Sequence, residues 1–184
     1  MHRMGAEPDD EPRCWVFGYG SLIWRTGFDY LESRPAFIHN WARRFWQGSS
    51  DHRGVPGAPG RVVTLVEAQG ETCWGRAYLL NPATRDEVLA HLDHREKGGY
   101  ERLNLALHFS DSEWVDGITY HATADNPEFL GEAELGDIVA QVLASKGPSG
   151  LNTEYVLHLD QALEEMGAVD AHVREIASAL KDAI

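Results

Sequence analysis

The chain has 184 residues, of which 43% are hydrophobic and 24% are charged, and its formal net charge is −13. This composition is typical of a globular protein, and at about 150 residues per domain the length predicts one domain. An acidic surface is repelled by phosphate backbones and anionic lipids, so we expect neither nucleic-acid binding nor membrane attachment. The sequence also lacks the run of about 18 apolar residues that a transmembrane helix requires.

The first 13 residues contain no apolar stretch. We therefore interpret 1–13 as a disordered tail rather than a secretory signal, followed by a single domain over 14–184. The two cysteines, Cys14 and Cys73, stand apart in apolar segments. Isolated thiols of this kind indicate a reducing compartment and predict a cytoplasmic protein with buried thiols, with one disulfide as the open alternative.

Hydrophobic patterning predicts a strand-rich first part of the domain. Short apolar or alternating segments indicate strands over Cys14–Gly20, 35–48, Arg61–Ala68, Thr72–Leu80, Arg102–Ser110 and 114–122. The third and fourth of these are expected to form a hairpin with its turn at 69–71. The stretch 49–60 carries glycines and prolines and predicts a long loop.

Apolar stripes at helical spacing predict helices over 81–97, Leu135–Ala144, 155–166 and Val169–Leu180. Asn81-Pro82 has the residue types of a cap and a first turn, and Asn152 or Thr153 would cap the third helix. Because strands come first and helices last, with one helix between strands, the order predicts an α+β fold. Its sheet would be mostly antiparallel or mixed, and able to curl into a barrel.

The first candidate site is the loop Phe17-Gly-Tyr-Gly-Ser-Leu22 after the first strand. Gly18 and Gly20 permit a sharp turn with consecutive N–H groups left free, and such a nest with the Ser21 hydroxyl suits a carboxylate. A glycine turn with a purely geometric role is the open alternative. Ile23 stands where a dinucleotide fingerprint needs a third glycine, and the Gly-Lys-Ser/Thr of a nucleotide-phosphate loop is missing.

The second candidate is Glu96, near the predicted end of the first helix. The helix dipole there favours a protonated carboxylate, which suits a group that takes up and returns a proton. The neighbouring Arg95 and Lys97 favour the ionised form, so the pattern leaves the net direction open. The alternative is a solvated cluster of charges.

The third candidate is Gly147-Pro-Ser-Gly-Leu-Asn-Thr-Glu-Tyr155, a rigid turn that would place Tyr155 in the first turn of a helix. Tyr155 would then contact a ligand or pack half-buried. Glu87, His91 and His94 could share one helical face, but no metal-binding motif accompanies them, and we expect no metal site. The sequence also lacks the Gly-x-Ser-x-Gly element of serine hydrolases.

Five segments in this order resemble the ChaC-type glutathione-specific γ-glutamylcyclotransferases. The segments are Trp15–Trp24, Phe45–Leu65, Trp74-Gly75, Arg95–Tyr100 and Gly147–Tyr155. The resemblance implies a small mixed β-barrel flanked by helices. It also implies a lyase that converts glutathione to 5-oxoproline and cysteinylglycine in the cytosol, with no metal and no cofactor. The sequence indicates no obligate protein partner.

The resemblance further implies the roles of individual residues. The loop that holds the γ-glutamyl group matches Tyr19, Gly20, Ser21 and Leu22, with Phe17 and Gly18 at its start. Glu96 matches the catalytic carboxylate, and Tyr155 matches a residue at the border of the pocket.

The cyclisation that the resemblance implies requires the protein to position the substrate and to supply one group that carries a proton. The α-amine of the substrate attacks its own γ-carbonyl, so holding the folded conformer is a proximity effect, and one carboxylate can move the proton. The loop amides would either anchor the α-carboxylate or polarise the γ-carbonyl.

Two alternative functions stay open. One is a cyclotransferase for another γ-glutamyl amino acid or amine, with 51–60 lining the leaving-group side. The other is a non-catalytic regulator that binds a small molecule.

Overall fold

The computed structural model describes residues 12–95 and 99–184. Residues 1–11 of the predicted tail lie outside the described residues, and so do Glu96, Lys97 and Gly98. The division into a tail and one domain therefore stays a prediction.

Among the described residues, five strands close into a barrel. They are β1 (Trp15–Gly18), β2 (Glu32–Ser49), β3 (Gly60–Leu79), β4 (Tyr100–His108) and β5 (Trp114–Ala122). Their order around the barrel is β1-β3-β2-β4-β5, and β1 closes it by running parallel to β5 while the other pairs are antiparallel. The predicted mixed barrel is thus confirmed, with the parallel pair as its closing seam.

Among the described residues, one α-helix lies between β3 and β4 and three follow β5, and they flank the barrel. They are α1 (Arg85–Arg95), α2 (Leu135–Ala144), α3 (Asn152–Glu165) and α4 (Ala171–Ala183), and a small hairpin of β6 (Lys146–Gly147) and β7 (Gly150–Leu151) precedes α3. The apolar faces of α2, α3 and α4 share one core with the barrel. A second, smaller cluster joins α1 to the barrel through Val16, Leu80, Val88, Leu92 and Tyr120.

The predicted hairpin with a turn at 69–71 is wrong, because β3 is one strand that pairs with β2 along its length. The register shifts between His39 and Trp41, and Asn40 there has a φ of 67°. Gly70, at a φ of 85°, donates its N–H to Asn40 Oδ1 at 2.9 Å. The residues 69–71 therefore lie at an irregularity in the pairing of β2 with β3. The connection of the hairpin that these two strands form is the loop 50–59.

Two predicted helix starts are also wrong. Asn81 accepts the Ala83 N–H at 3.0 Å within a turn, and α1 begins four residues later at Arg85. Asn152 is the first residue of α3 and is fully buried rather than capping it. Its side chain accepts the Arg61 N–H at 2.7 Å and donates to the Arg61 carbonyl at 2.8 Å, so it joins α3 to β3.

Both cysteines carry free thiols, Cys73 buried and Cys14 half-buried. Among the described residues, no helix combines the length and the apolar character that crossing a membrane demands.

Candidate functional site

A pocket lies where the loop after β1 meets the loop after β2, the strand β5 and the start of α3. Its volume is about 150 Å³, which is enough for a small organic group in a protein cavity. Six of the residues singled out in the sequence line it together, namely Phe17, Tyr19, Gly20, Ser21, Leu22 and Tyr155. The fold therefore brings the first and third candidate segments to one place.

The loop after β1 is held in place by side chains of the barrel. Tyr19 donates its hydroxyl to the Tyr120 carbonyl at 2.6 Å, and Thr119 donates its hydroxyl to the Phe17 carbonyl at 2.8 Å. Tyr19, Thr119 and Tyr120 also line the pocket. These bonds fix the backbone of the loop before any ligand arrives, which lowers the entropic cost of binding.

The two glycines of the loop have different surroundings. A Cβ on Gly18 would lie 2.7 Å from Leu22 Cβ, so this glycine permits close packing within the loop, and it does not line the pocket. A Cβ on Gly20 would lie 2.9 Å from the Tyr155 hydroxyl, inside the pocket. The absence of a side chain at Gly20 thus keeps space open between the loop and Tyr155.

Arg53 supplies a positive charge to the wall of the pocket. It is 7% exposed, donates to the Leu151 carbonyl at 3.0 Å, and lies 3.7 Å from a carboxylate oxygen of Glu154. Its guanidinium carbon lies 5.7 Å from the ring centre of Tyr155. Burial lowers the pKa of Arg53, and Glu154 opposes that shift. A buried cation of this kind favours an anionic ligand group beside it.

Glu96, the predicted proton carrier, lies outside the described residues, but the chain on both sides of it reaches the pocket wall. Asp93, three residues earlier, accepts the Tyr120 hydroxyl at 2.5 Å and Arg102 at 2.9 Å. The hydrogen bond from Tyr120 and then that from Arg102 lower the pKa of Asp93. Burial, followed by the bond to Asp93, raises the pKa of Tyr120 to about 12. Tyr100, four residues after Glu96, lines the pocket directly.

The loop 51–60, expected to line the leaving-group side, contributes Asp51, His52 and Arg53 to the pocket, and His52 Nδ1 lies 3.2 Å from Ser149 Oγ of the β6–β7 turn. Sequence reasoning missed other residues of the lining, among them Thr119, Tyr120 and Glu128. The alternation of apolar residues in β5 indicates that Tyr120 is buried. The residues that Tyr120 contacts depend on how the barrel closes, which the alternation does not show.

The side chains of Glu87, His91 and His94 are all exposed on α1. Over 12–95 and 99–184, no group of three or more His, Cys, Asp and Glu side chains is arranged to hold a metal ion.

Comparison with known proteins agrees with this architecture. The family model described as ChaC-like protein matches residues 14–183. The chain is 44% identical to gamma-glutamylcyclotransferase 2-3 of Arabidopsis thaliana, over 91% of this chain and 88% of that protein. It is 40% identical to human glutathione-specific gamma-glutamylcyclotransferase 1, over 94% of this chain and 81% of the relative.

Among solved structures, a yeast γ-glutamyl cyclotransferase specific to glutathione superposes with a TM-score of 0.88 at 28% identity. That match covers 94% of this chain and 97% of the yeast chain. The protein described here therefore belongs to the ChaC-like family.

Proposed function

We propose that this protein is a glutathione-specific γ-glutamylcyclotransferase, a lyase that releases 5-oxoproline and cysteinylglycine from glutathione. The carrying observation is the pocket in which the rigid Tyr19–Leu22 loop, Arg53 and Tyr155 meet. The names of the human and yeast relatives support glutathione as the substrate.

The charges of the pocket support an anionic substrate. Glutathione carries carboxylates at both ends, whereas the whole chain has a net charge of −13 and would repel it. Arg25 and Arg53 bring cationic side chains to the pocket wall, which also carries the carboxylates of Asp51 and Glu128. The backbone amides of the Tyr19–Leu22 loop add donors that suit a carboxylate or carbonyl oxygen. We propose that the γ-glutamyl group binds the loop and the glycine end of the tripeptide lies toward Arg53.

We propose Glu96 as the proton carrier of the reaction. It removes a proton from the α-ammonium group, which frees the lone pair that attacks the γ-carbonyl carbon and closes the five-membered ring. It then returns a proton to the cysteine nitrogen as the C–N bond breaks. The attachment of Asp93 and Tyr100 to the pocket wall supports a position for Glu96 at the site, because three or four residues bridge a short distance.

The decisive experiment is to incubate the purified protein with glutathione and detect cysteinylglycine and 5-oxoproline by mass spectrometry. A parallel incubation with γ-glutamyl-alanine separates a glutathione-specific enzyme from a broader cyclotransferase. Product from the dipeptide at an equal rate would contradict glutathione specificity. Binding of glutathione without product over hours would contradict the enzymatic function and favour a regulator.

We also propose that the reaction takes place in the cytosol. The free thiols of Cys14 and Cys73 support this location, since reducing compartments preserve them. Cell fractionation with an antibody to the protein tests it.

A further inference from the structure

Arg43 of β2 is buried outside the pocket lining, in contact with the Tyr19–Leu22 loop, and its side chain has no exposed surface. Its Nη1 donates to the Tyr19 carbonyl at 2.9 Å, and its Nη2 donates to the Trp74 carbonyl and approaches Cys73 Sγ at 3.4 Å. Its Nε donates to Asp170 Oδ2 at 3.2 Å. Burying a guanidinium is costly unless it is paired and hydrogen-bonded, so these contacts hold one defined arrangement.

The bond to Tyr19 has a consequence for the pocket. The Tyr19 carbonyl and the Gly20 N–H belong to one planar trans peptide, in which they point in opposite directions. Because the carbonyl points to Arg43, the Gly20 N–H is directed away from Arg43, and Gly20 is a residue that lines the pocket. A cation on the carbonyl also polarises the peptide and makes its N–H a stronger donor.

Asp170 holds Arg43 from the far side. It is the N-cap of α4, where its Oδ1 accepts the Val173 N–H at 3.1 Å and its Oδ2 accepts from Arg43. The carboxylate of Asp170 therefore caps α4 and is also the counterion of Arg43, and different substitutions can remove these two roles separately.

We propose that Arg43, held by Asp170, is a positioning residue of the active site. It aims and polarises the Gly20 amide so that this amide donates to an anionic oxygen of the γ-glutamyl group. This inference rests on the proposed function for its substrate, and on the buried contacts for its geometry.

Three variants separate this role from a purely structural one. Asp170→Asn keeps a good N-cap and removes the charge, whereas Asp170→Glu keeps the charge and loses the cap geometry. Asp160→Asn is the matched control, because Asp160 of α3 is a buried carboxylate paired with Arg174 at 2.9 Å and Lys181 at 3.5 Å. Both of these partners lie in α4, so the ion pairs of Asp160 join two helices rather than a helix and the substrate loop.

The measurements are kcat and KM for glutathione, taken well below the melting temperature of each variant, with the folded fraction checked by circular dichroism. Loss of a whole oxyanion donor costs about 10²–10³ in rate, so a weakened donor in Asp170→Asn should cost about tenfold in kcat/KM. Asp160→Asn and Asp170→Glu should stay within about threefold of the native protein. If kcat/KM in the three variants falls in step with the melting temperature, and does not depend on whether residue 170 is charged, the proposal is overturned.

A second readout does not depend on turnover. In NMR spectra without substrate, the Gly20 amide and Tyr19 carbonyl resonances should shift in Asp170→Asn and stay in place in Asp160→Asn. Unshifted resonances in Asp170→Asn would overturn the inference even if the native protein cleaves glutathione. If the native protein does not cleave glutathione, the proposed function fails, and the Gly20 resonance still decides whether Asp170 acts on the loop.

Discussion

His172 of α4 should make the stability of the protein depend on pH. Its Nε2 accepts the Phe45 backbone N–H at 2.9 Å, which requires a neutral ring nitrogen. Burial, with smaller contributions from Arg44 and Arg43, lowers the pKa of His172 from 6.5 to about 4, and Asp170 opposes the shift. The folded protein thus resists a proton that the unfolded chain accepts.

The sign and size of the effect follow from this difference. Between pH 6.5 and about 4 the unfolded chain binds more protons at this group, so the free energy of unfolding falls as the pH falls. At about 1.4 kcal/mol per pKa unit, the shift from 6.5 to about 4 sets an upper limit of about 3–4 kcal/mol. Because the ring is only partly buried, solvent screening reduces our expectation to about 1–2 kcal/mol.

Urea unfolding of the native protein and of His172→Gln at pH 7, 6, 5 and 4.5 measures this contribution. The glutamine oxygen can still accept the Phe45 N–H but does not titrate, so the native protein should lose stability relative to the variant as the pH falls. His91→Gln, which removes an exposed imidazole of α1, controls for the loss of one titratable group. Parallel pH profiles for the native protein and His172→Gln would refute the reasoning.

Three further predictions concern the site and its support. Glu96→Gln should fold normally and lose turnover, and activity within about tenfold of the native enzyme, a change of about 1.4 kcal/mol in the barrier, would show that Glu96 is not the proton carrier. Gly20→Ala should raise the KM for glutathione, since its Cβ would lie 2.9 Å from the Tyr155 hydroxyl. The control Gly136→Ala, which has open space around its Cβ, should leave the KM unchanged, and a KM for Gly20→Ala as low as that of the control would show that Gly20 is not part of the binding site. Asn152→Ala should lower the free energy of unfolding by about 2–4 kcal/mol in urea titrations, because it leaves a buried N–H and C=O of Arg61 without their partner; a loss below about 0.5 kcal/mol, the range of ordinary surface substitutions, would contradict this.

Elements whose signal is local could be predicted from the sequence. The alternation of Leu103, Leu105 and Leu107 indicates β4, and the apolar stripe of α2 predicts its bounds correctly. The course of β3 could not be predicted, since Gln69, Gly70 and Glu71 carry the local signals of a turn. Its continuity depends on pairing with β2 opposite Asn40, far away in the sequence.

The candidate site shows the same division. The glycine loop and Tyr155 could be predicted as candidate site residues, because their residue types and family motif stand out in the sequence. Arg43 was missed because a charged residue in an aromatic-rich strand gives no indication that it is buried, and its partners come from β3, the loop after β1 and the cap of α4. Such a role follows from tertiary contacts alone.

The separate packing of α1 has a consequence for how the protein loses activity. This helix leads toward Glu96 and is anchored by the small cluster around Leu92, whereas the C-terminal helices share the main core. Segments with little apolar contact open locally at lower cost than the whole protein. Amide protons of α1 should therefore exchange with solvent before those of α3. On heating, the enzymatic activity should be lost at a lower temperature than the one at which the barrel unfolds.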